Sequence, residues 1–310
     1  MSKNNIKTSV VIPTKNRPFD LIKALESIFR QSVIPEELII VDQSKTPHSK
    51  ILALSIFKKF QYVNFQYIYD KSISGLIEAK KIGVYTSNGD LIFFLEDDVI
   101  LDSDYIEEII LGFSKNIEMI GCSGIIKNHP PKNNMQLNLF NIFHIGIFSD
   151  KRFDIFAQAR ISRHRQSLVK SDKLSGGVSA WKREVFLHVA FDLSNDFHML
   201  EDIDFSTRVA MKFGPLLYIN PNAKLDHFFA PSGRGSLLAQ RRRKTRECIV
   251  YYKKRSKCNN ALLSVTILMI GIFFESIFIS LLLKSFSPLN GFLLGLRDGI
   301  LHKISLDPSS

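Results

Sequence analysis

Leu91-Ile92-Phe93-Phe94-Leu95-Glu96-Asp97-Asp98 is the stretch on which the fold turns. Five successive apolar residues read as a strand buried on both faces, the kind found in a mostly parallel sheet covered by helices. Three carboxylates follow at once, at the carboxyl end of that strand, where open α/β sheets bind their ligands. Adjacent acids repel one another unless a cation or hydrogen-bond donors neutralise them. Hard divalent ions such as Mg²⁺ and Mn²⁺ prefer carboxylate oxygens and bridge substrate phosphates at the same time. The other reading is a solvated loop whose acids cap the next helix. Asp102 and Ser103 already stand as cap candidates there, which favours the metal.

The same rhythm extends in both directions. Val10–Ile12, Leu38–Val41 and Phe65–Tyr69 read as strands, separated by helices over Phe19–Phe29 (after Pro18), Ile51–Phe60 and Leu76–Tyr85. Downstream come a helix over Tyr105–Phe113 and a strand near Met119–Ile126. Residues 127 to 173 mix Asn, Pro, Phe and basic residues and read as an insert. Regularity returns with Gly176-Gly177, a helix over Ile203–Phe213, and strands near Leu216–Ile219 and Ala223–Phe229. No internal repeat is visible. Asp42 ends the second strand, well placed for a ribose hydroxyl or a base edge, or else forming a turn. Neither G-x-G-x-x-G nor G-x-x-x-x-G-K-[ST] occurs, which counts against a dinucleotide oxidoreductase and a P-loop NTPase.

The chain has 310 residues, 45% hydrophobic and 23% charged, enough for about two domains. Its formal charge of +11 favours anionic partners: nucleic acid, anionic lipid or phosphorylated small molecules. Three cysteines, an odd number without a Cys-x-x-Cys spacing, argue against a disulfide framework and a structural zinc site. Collagen, coiled coil and secreted mini-protein fall away with them. The polar Met1–Lys7 and the short apolar run after it do not make a signal peptide, so folding is expected to begin in a reducing cytoplasm. Composition changes at Arg241, where a basic segment runs on to Lys257 and precedes the 23-residue apolar stretch Ala261–Leu283, interrupted by Glu275. As a helix this stretch is roughly 34 Å long, against about 30 Å of bilayer hydrocarbon. One charge near its middle costs on the order of 3 kcal/mol on insertion scales. Phe292–Ile304 carries Arg297, Asp298 and Lys303 and reads as interfacial. A buried helix of a soluble domain is the alternative. The basic flank favours a membrane, and crossing or lying in the interface stays open.

Thr8-Ser-Val-Val-Ile-Pro-Thr-Lys-Asn-Arg17, Ile39-Ile-Val-Asp-Gln-Ser44, Gly75 with Ala79-Lys-Lys-Ile-Gly83, and Gly89 through Asp98 occur in order and at familiar spacing. Together they resemble the nucleotide-binding half of family 2 glycosyltransferases. Gly176-Gly177, Arg183-Glu-Val-Phe186, Phe191-Asp192, Phe197 and Glu201-Asp-Ile-Asp-Phe205 with Arg208 and Gly214 resemble the second half, and the likeness covers roughly residues 8 to 230. Gly295-Leu-Arg-Asp-Gly299 is similar to the membrane-associated ends of members that build bacterial surface polysaccharides.

The resemblance implies an α/β GT-A fold, with a Rossmann-like, mostly parallel sheet flanked by helices. Residues 1–235 would form the catalytic domain (nucleotide-binding half about 8–126, acceptor half about 127–235), and 236–310 a helical membrane-associating region. Pro13, Thr14, Asn16 and Arg17 would line the nucleotide pocket, with Asp42 on base or ribose, and Gly75, Lys80 and Asp97 on the nucleotide sugar. Asp98 would be the foremost metal ligand, with Glu96. His227 is either a further ligand or a packed side chain. Asp202 would be the catalytic base, and Glu201 would support it or contact the acceptor; Glu201 through Asp204 also read as acids complementing a helix dipole, Asp204 as a cap. Gly176, Gly177 and Trp181 would stand on the acceptor side, Trp181 stacking on a sugar or packing in the core. The arginines from 241 to 246 would grip an acceptor diphosphate or face solvent or lipid.

The expected activity is therefore an inverting hexosyl- or deoxyhexosyltransferase at the cytoplasmic face of the cell membrane. A nucleotide-sugar donor, Mg²⁺ or Mn²⁺, and a lipid-linked glycan of an O-antigen, capsule or exopolysaccharide pathway would be its partners, without nucleic acid. Transfer to a polyprenyl phosphate itself is the nearest rival. A nucleotidyltransferase lacks its glycine-rich loop here, a nucleic-acid-binding protein is supported by charge alone, and a membrane scaffold would be indifferent to loss of Asp98 and Asp202. Asp42-Gln43-Ser44 stands where the family often has Asp-Asp-Gly-Ser, Glu96 replaces an Asp, and no glycines precede Phe191-Asp192. These departures bear on the donor sugar more than on the reaction class.

Overall fold

The computed structural model describes residues 6–58, 60, 63–128, 143, 167–194, 197–229, 235–254 and 261–303. The insert expected at 127–173 lies largely outside them. The chain divides into two compact units: Met1–His129 with Phe156–Phe191 and Phe205–Ser232, and Pro130–Ile155 with Asp192–Asp204 and Gly233–Ser310.

The first unit is built on one mixed sheet. Its strands are β1 (Thr8–Thr14), β2 (Glu37–Asp42), β3 (Asn64–Tyr69), β4 (Leu91–Leu95), β5 (Val99–Leu101), β6 (Gly121–Ile126), β7 (Val169–Lys170), β8 (Val178–Lys182) and β9 (Leu217–His227). They lie in the order β3-β2-β1-β4-β8-β6-β9-β5, with β7 on β9. The β3-β2-β1-β4 half is parallel, and β8 enters antiparallel between β4 and β6. Because side chains alternate along a strand, Val10, Ile12, Leu38, Ile40, Phe93 and Leu95 face one layer and Val11, Ile39, Val41, Ile92 and Phe94 the other. Helices α1 (Pro18–Phe29), α2 (His48–Phe57) and α4 (Tyr105–Lys115) bury the first face. Helices α3 (Leu76–Thr86), α5 (Glu184–His188) and α6 (Glu201–Phe213) contribute to the second. Parallel pairing aligns the carboxyl ends: Thr14 stands opposite Asp42, and Val11 is paired with both Ile39 and Phe94.

Several boundaries differ from the sequence reading. The two late strands are one strand, β9. Its pairing with β6 jumps from Ser123–Ile219 to Ile125–Lys224, so the irregularity absorbs Pro221, which has no N–H to donate. Gly124 sits at that jump, where a Cβ would meet the Ala223 carbonyl oxygen at 2.4 Å. Helix α2 starts at His48 and ends at Phe57 rather than spanning 51–60. Helix α4 starts after Asp104, and the Asp102 carboxylate, expected as a cap, instead pairs with Lys127.

The second unit contains α7 (Leu237–Lys254), α8 (Ala261–Leu282) and α9 (Ser287–Leu301). Helices α7 and α9 run side by side in the same direction, seamed by Gly291, Gly295 and Gly299. A Cβ on Gly291 would lie 2.6 Å from the Leu238 carbonyl oxygen, one on Gly295 2.4 Å from that of Arg242, and one on Gly299 2.9 Å from the Ile249 Cβ. Glu275, the charge inside α8, is met by Arg241 at 2.7 Å and Lys244 at 3.3 Å from α7. Two members of the arginine run are thereby committed within the chain, since Arg242 also holds Asp298 at 2.5 Å. Helix α8 is long and apolar enough to cross a membrane, with Leu262, Leu281 and Leu282 exposed along it.

Asp192–Asp204, assigned by sequence to the catalytic domain, belongs to the second unit. The reason is Glu247 of α7, whose buried carboxylate accepts the amides of His198 (3.1 Å), Met199 (2.8 Å) and Leu200 (3.0 Å). Lys254, seven residues along α7, pairs with Asp192 and Asp204.

Candidate active site

Strand β4 delivers Glu96, Asp97 and Asp98 to the carboxyl edge of the sheet, and their neighbours pull them apart. Asp97 turns to the end of β1: Thr14 Oγ1 donates to its Oδ2 (2.7 Å) and Arg17 to its Oδ1 (3.0 Å). Burial dominates its titration and pushes the carboxyl up to about 6, against the pull of Thr14 and Arg17. Arg17 also stands 3.6 Å from Asp98 Oδ2.

Glu96 and Asp98 meet His227 instead. Its Nε2 is 2.9 Å from Glu96 Oε2 and 3.1 Å from Asp98 Oδ1. The β5–β9 ladder brings it there, since Val99 pairs with His227 and the Phe228 amide donates to the Asp98 carbonyl. Asn128 clamps the His227 backbone on both sides, accepting from its N–H (2.8 Å) and donating to its carbonyl (3.1 Å). Phe229, at φ 50°, stacks on the imidazole with ring centres 3.9 Å apart. Burial would lower the imidazole pKa, but bonding to Asp98 and Glu96 outweighs it and raises the group to about 9. One donor atom from each of Glu96, Asp98 and His227 lies within 4.8 Å of the others. Two carboxylate oxygens and an imidazole nitrogen converging in this way fit Mg²⁺ or Mn²⁺. Glu96 owes its position to Gly177, whose carbonyl accepts the Glu96 amide (2.8 Å) and whose added Cβ would fall 2.0 Å from Glu96 Oε1.

The surrounding rim is stitched from loops after three parallel strands. Asn16 sits in the left-handed region (φ 57°), its amide on Ser44 Oγ (2.7 Å) and its Oδ1 on the Lys45 amide (2.9 Å). Gly75, at φ 94° before α3, donates its amide to Gln43 Oε1 (3.1 Å). Pro13 is buried in β1, and Gly176 is half-buried beside Gly177. Gln43 stood out in the sequence only as a departure from Asp-Asp-Gly-Ser, and Asn128 not at all; each is a single polar residue whose partner is distant in sequence.

Three expected contacts are drawn inward. Asp42 is 0% exposed, with Oδ1 on the Ser44 amide (2.8 Å) and Oδ2 on the Tyr67 hydroxyl (2.7 Å), the turn-forming alternative. Lys80 is 2% exposed, its Nζ 5.4 Å over the Phe94 ring. Trp181 is 3% exposed, edge-on to Phe205, with Nε1 bonded to Ser179, so its faces pack in the core and offer no sugar platform. Glu201 and Asp202 form the first turn of α6, in the second unit; Asp202 is half-buried and its Oδ1 accepts the Ile203 amide (2.8 Å). Asp204, expected as a cap, is buried against Lys254.

Comparison with known proteins fits this arrangement. The family described as Glycosyl transferase family 2 matches residues 9–177, more than half of the chain. YwdF of Bacillus subtilis, described as an uncharacterized glycosyltransferase, is 33% identical over 104 residues, 34% of this chain and 37% of that one. Glycosyltransferase GlyA of Streptococcus pneumoniae is 23% identical over 222 residues, 69% of this chain and 29% of its own. The chain thus spans about a third of the length of these relatives. A mannosyltransferase of Pyrobaculum calidifontis in complex with GDP-Man and Mn²⁺ superposes over 96% of this chain and 88% of its own, with a TM-score of 0.62 at 13% identity. The architecture is the GT-A fold, and by its sequence the chain belongs to glycosyl transferase family 2.

Proposed function

We propose that the chain transfers a sugar from a nucleoside diphosphate donor to a lipid-linked glycan, with inversion, using Mg²⁺ or Mn²⁺ held by Asp98, Glu96 and His227. The observation that carries this reading is the convergence of those three donors at the carboxyl edge of a family 2 sheet. The Pyrobaculum neighbour's GDP-Man and Mn²⁺ support a nucleotide sugar and a divalent ion for this chain as well. A bound ion would neutralise charge on the departing diphosphate. Arg17, fixed between Asp97 and Asp98, keeps a permanent positive charge at the same edge. Asp202, matched to the family's base, would accept the acceptor hydroxyl proton as that oxygen attacks the anomeric carbon. The apolar α8 and the basic α7 support a site of action at the cytoplasmic face of the cell membrane, in the assembly of a surface polysaccharide.

The test is nucleoside diphosphate release from a panel of sugar nucleotides, in detergent, with a membrane lipid-glycan extract, with and without EDTA. Turnover of one donor that requires metal, extract, Asp98 (against Asp98→Ala) and Asp202 (against Asp202→Asn) is the expected result. Folded protein that neither binds nor turns over any donor would sink the reading. A product carrying a single sugar on a lipid monophosphate would move the acceptor to a polyprenyl phosphate.

A further inference from the structure

Helix α8 runs antiparallel to its two neighbours, and this fixes which groups share a depth along it. Ile249 and Tyr252 of α7 line one cavity with Leu262 and Val265, near the start of α8, whereas Arg241 and Lys244 reach Glu275 further on. Helix α9 doubles back from the end of α8: the Leu289 amide donates to Ser280 Oγ (3.3 Å), and Phe292 meets Phe273 with ring centres 5.5 Å apart. Glu275 lies within about 5 Å of the midpoint of α8. Level with it stand Arg241, Lys244 and, one position on, the Arg242–Asp298 pair. Arg242 and Arg243 are exposed on α7, and Arg297 on α9.

Around α8 itself the two faces differ. Leu268, Ile272 and Ser276, four residues apart, are buried, while Leu262, Thr266, Ile270 and Phe274 form an exposed stripe of the same spacing that Leu281 continues. None of these five carries a charge. Leu262, Thr266 and Ile270 also line the cavity of about 630 Å³ shared with α7 and α9, whose walls are almost wholly apolar.

A helix of 22 residues, about 33 Å long, matches the roughly 30 Å of bilayer hydrocarbon. Upright in a bilayer, however, it would carry the ion pairs of Glu275 and the exposed Arg242 and Arg243 towards mid-depth, where guanidinium groups are strongly disfavoured. Lying in the interface, the same helix presents its stripe to the acyl chains and leaves α7 among the headgroups. We infer that α8 lies flat in the surface of an anionic bilayer, with the stripe from Leu262 to Leu281 among the acyl chains, and does not cross, so that both its ends stay on one side. The apolar cavity then receives acyl chains, and the exposed arginines lie at the level of the anionic headgroups. A second copy of this chain, equally charged at +11, is the poorer complement to that basic rim. The inference rests on the proposed action at a membrane and adds how the chain sits there.

The test uses full-length protein made by cell-free synthesis with preformed vesicles of phosphatidylcholine and phosphatidylglycerol, in a Cys258→Ser background; Cys122 and Cys248 are buried. Spin labels are placed singly at Leu262→Cys, Phe274→Cys and Leu281→Cys, and their depths are read from oxygen and nickel-chelate accessibility. Expected is one shared depth, about 5–10 Å below the phosphates. A membrane-impermeant maleimide should label Lys284→Cys as completely as Lys115→Cys before detergent is added. Phe274→Cys at about 15 Å depth, near the bilayer centre, with both end labels shallow and Lys284→Cys protected until detergent, would overturn the proposal in favour of a span. Labels that stay in water with vesicles present would overturn it in favour of a soluble helix, and dipolar broadening without vesicles in favour of a second copy. Nucleoside diphosphate release is followed on the same samples. Turnover with a spanning profile would remove the flat orientation and leave the transferase standing; a flat profile without turnover of any donor would do the reverse.

Discussion

Gly177 is the position at which the smallest chemical change has the largest expected effect. A methyl group there would overlap the Glu96 carboxylate and drive it away from His227. Gly177→Ala is therefore expected to keep its circular dichroism spectrum while Mn²⁺ affinity, read by water-proton relaxation, falls about 10- to 100-fold, as when the partners orienting a ligand are lost. Unchanged affinity would mean that Glu96 is not a ligand. Glu96 and Asp98 were legible because a run of acids directly after an apolar strand demands a neutralising partner. His227 was open between ligand and packing, since only the Val99–His227 pairing across the β5–β9 ladder decides where its ring goes. Lys80 and Trp181 went the other way. A lysine in a helix and a tryptophan in a strand look alike in sequence whether they face a crevice or the core, and here α3 and β8 turn them inward.

At the level of elements, the glycine seam between α7 and α9 makes a sharp demand. Gly295→Leu would thrust a side chain into the Arg242 carbonyl and is expected to lower stability by about 1–3 kcal/mol, as overpacking does, measured by thermal unfolding in detergent. An unshifted midpoint would show that the helices part freely. Helix α7 also carries a titration. Burial pushes Glu247 up to about 7, against the amides of Met199, His198 and Leu200 and the charge of Arg243. Its folded pKa thus lies above its unfolded value, so the neutral form is favoured on folding. The contribution is complete below about 4.5 and lost as pH rises through about 7. Wild type should lose stability across that window relative to Glu247→Gln; parallel curves for the two proteins would refute it. The parallel strands were plain from their apolar runs, whereas β5 has only three residues and β8 reads Val-Ser-Ala-Trp-Lys, with neither a continuous run nor a clean alternation. Pro221 split β9 in two because the compensating irregularity on β6 is invisible from either strand alone.

The whole molecule joins a sheet-based unit to a helical one with an exposed apolar helix, so it should float with vesicles containing anionic lipid and stay bound in 1 M NaCl, where screening removes most electrostatic attraction. Release by salt would assign binding to the basic residues alone. Composition changes at Arg241, but residues 192–204 look like part of the catalytic half until Glu247 and Lys254 are seen to hold them. That hold has a practical consequence for engineering. A chain cut at residue 235 to shed the apolar helices would strand three amides and the carboxylates of Asp192 and Asp204 without their α7 partners. Chimaeras that exchange tails between relatives to redirect acceptor choice would meet the same obstacle: the tail can be transplanted only if residues 192–204 travel with it.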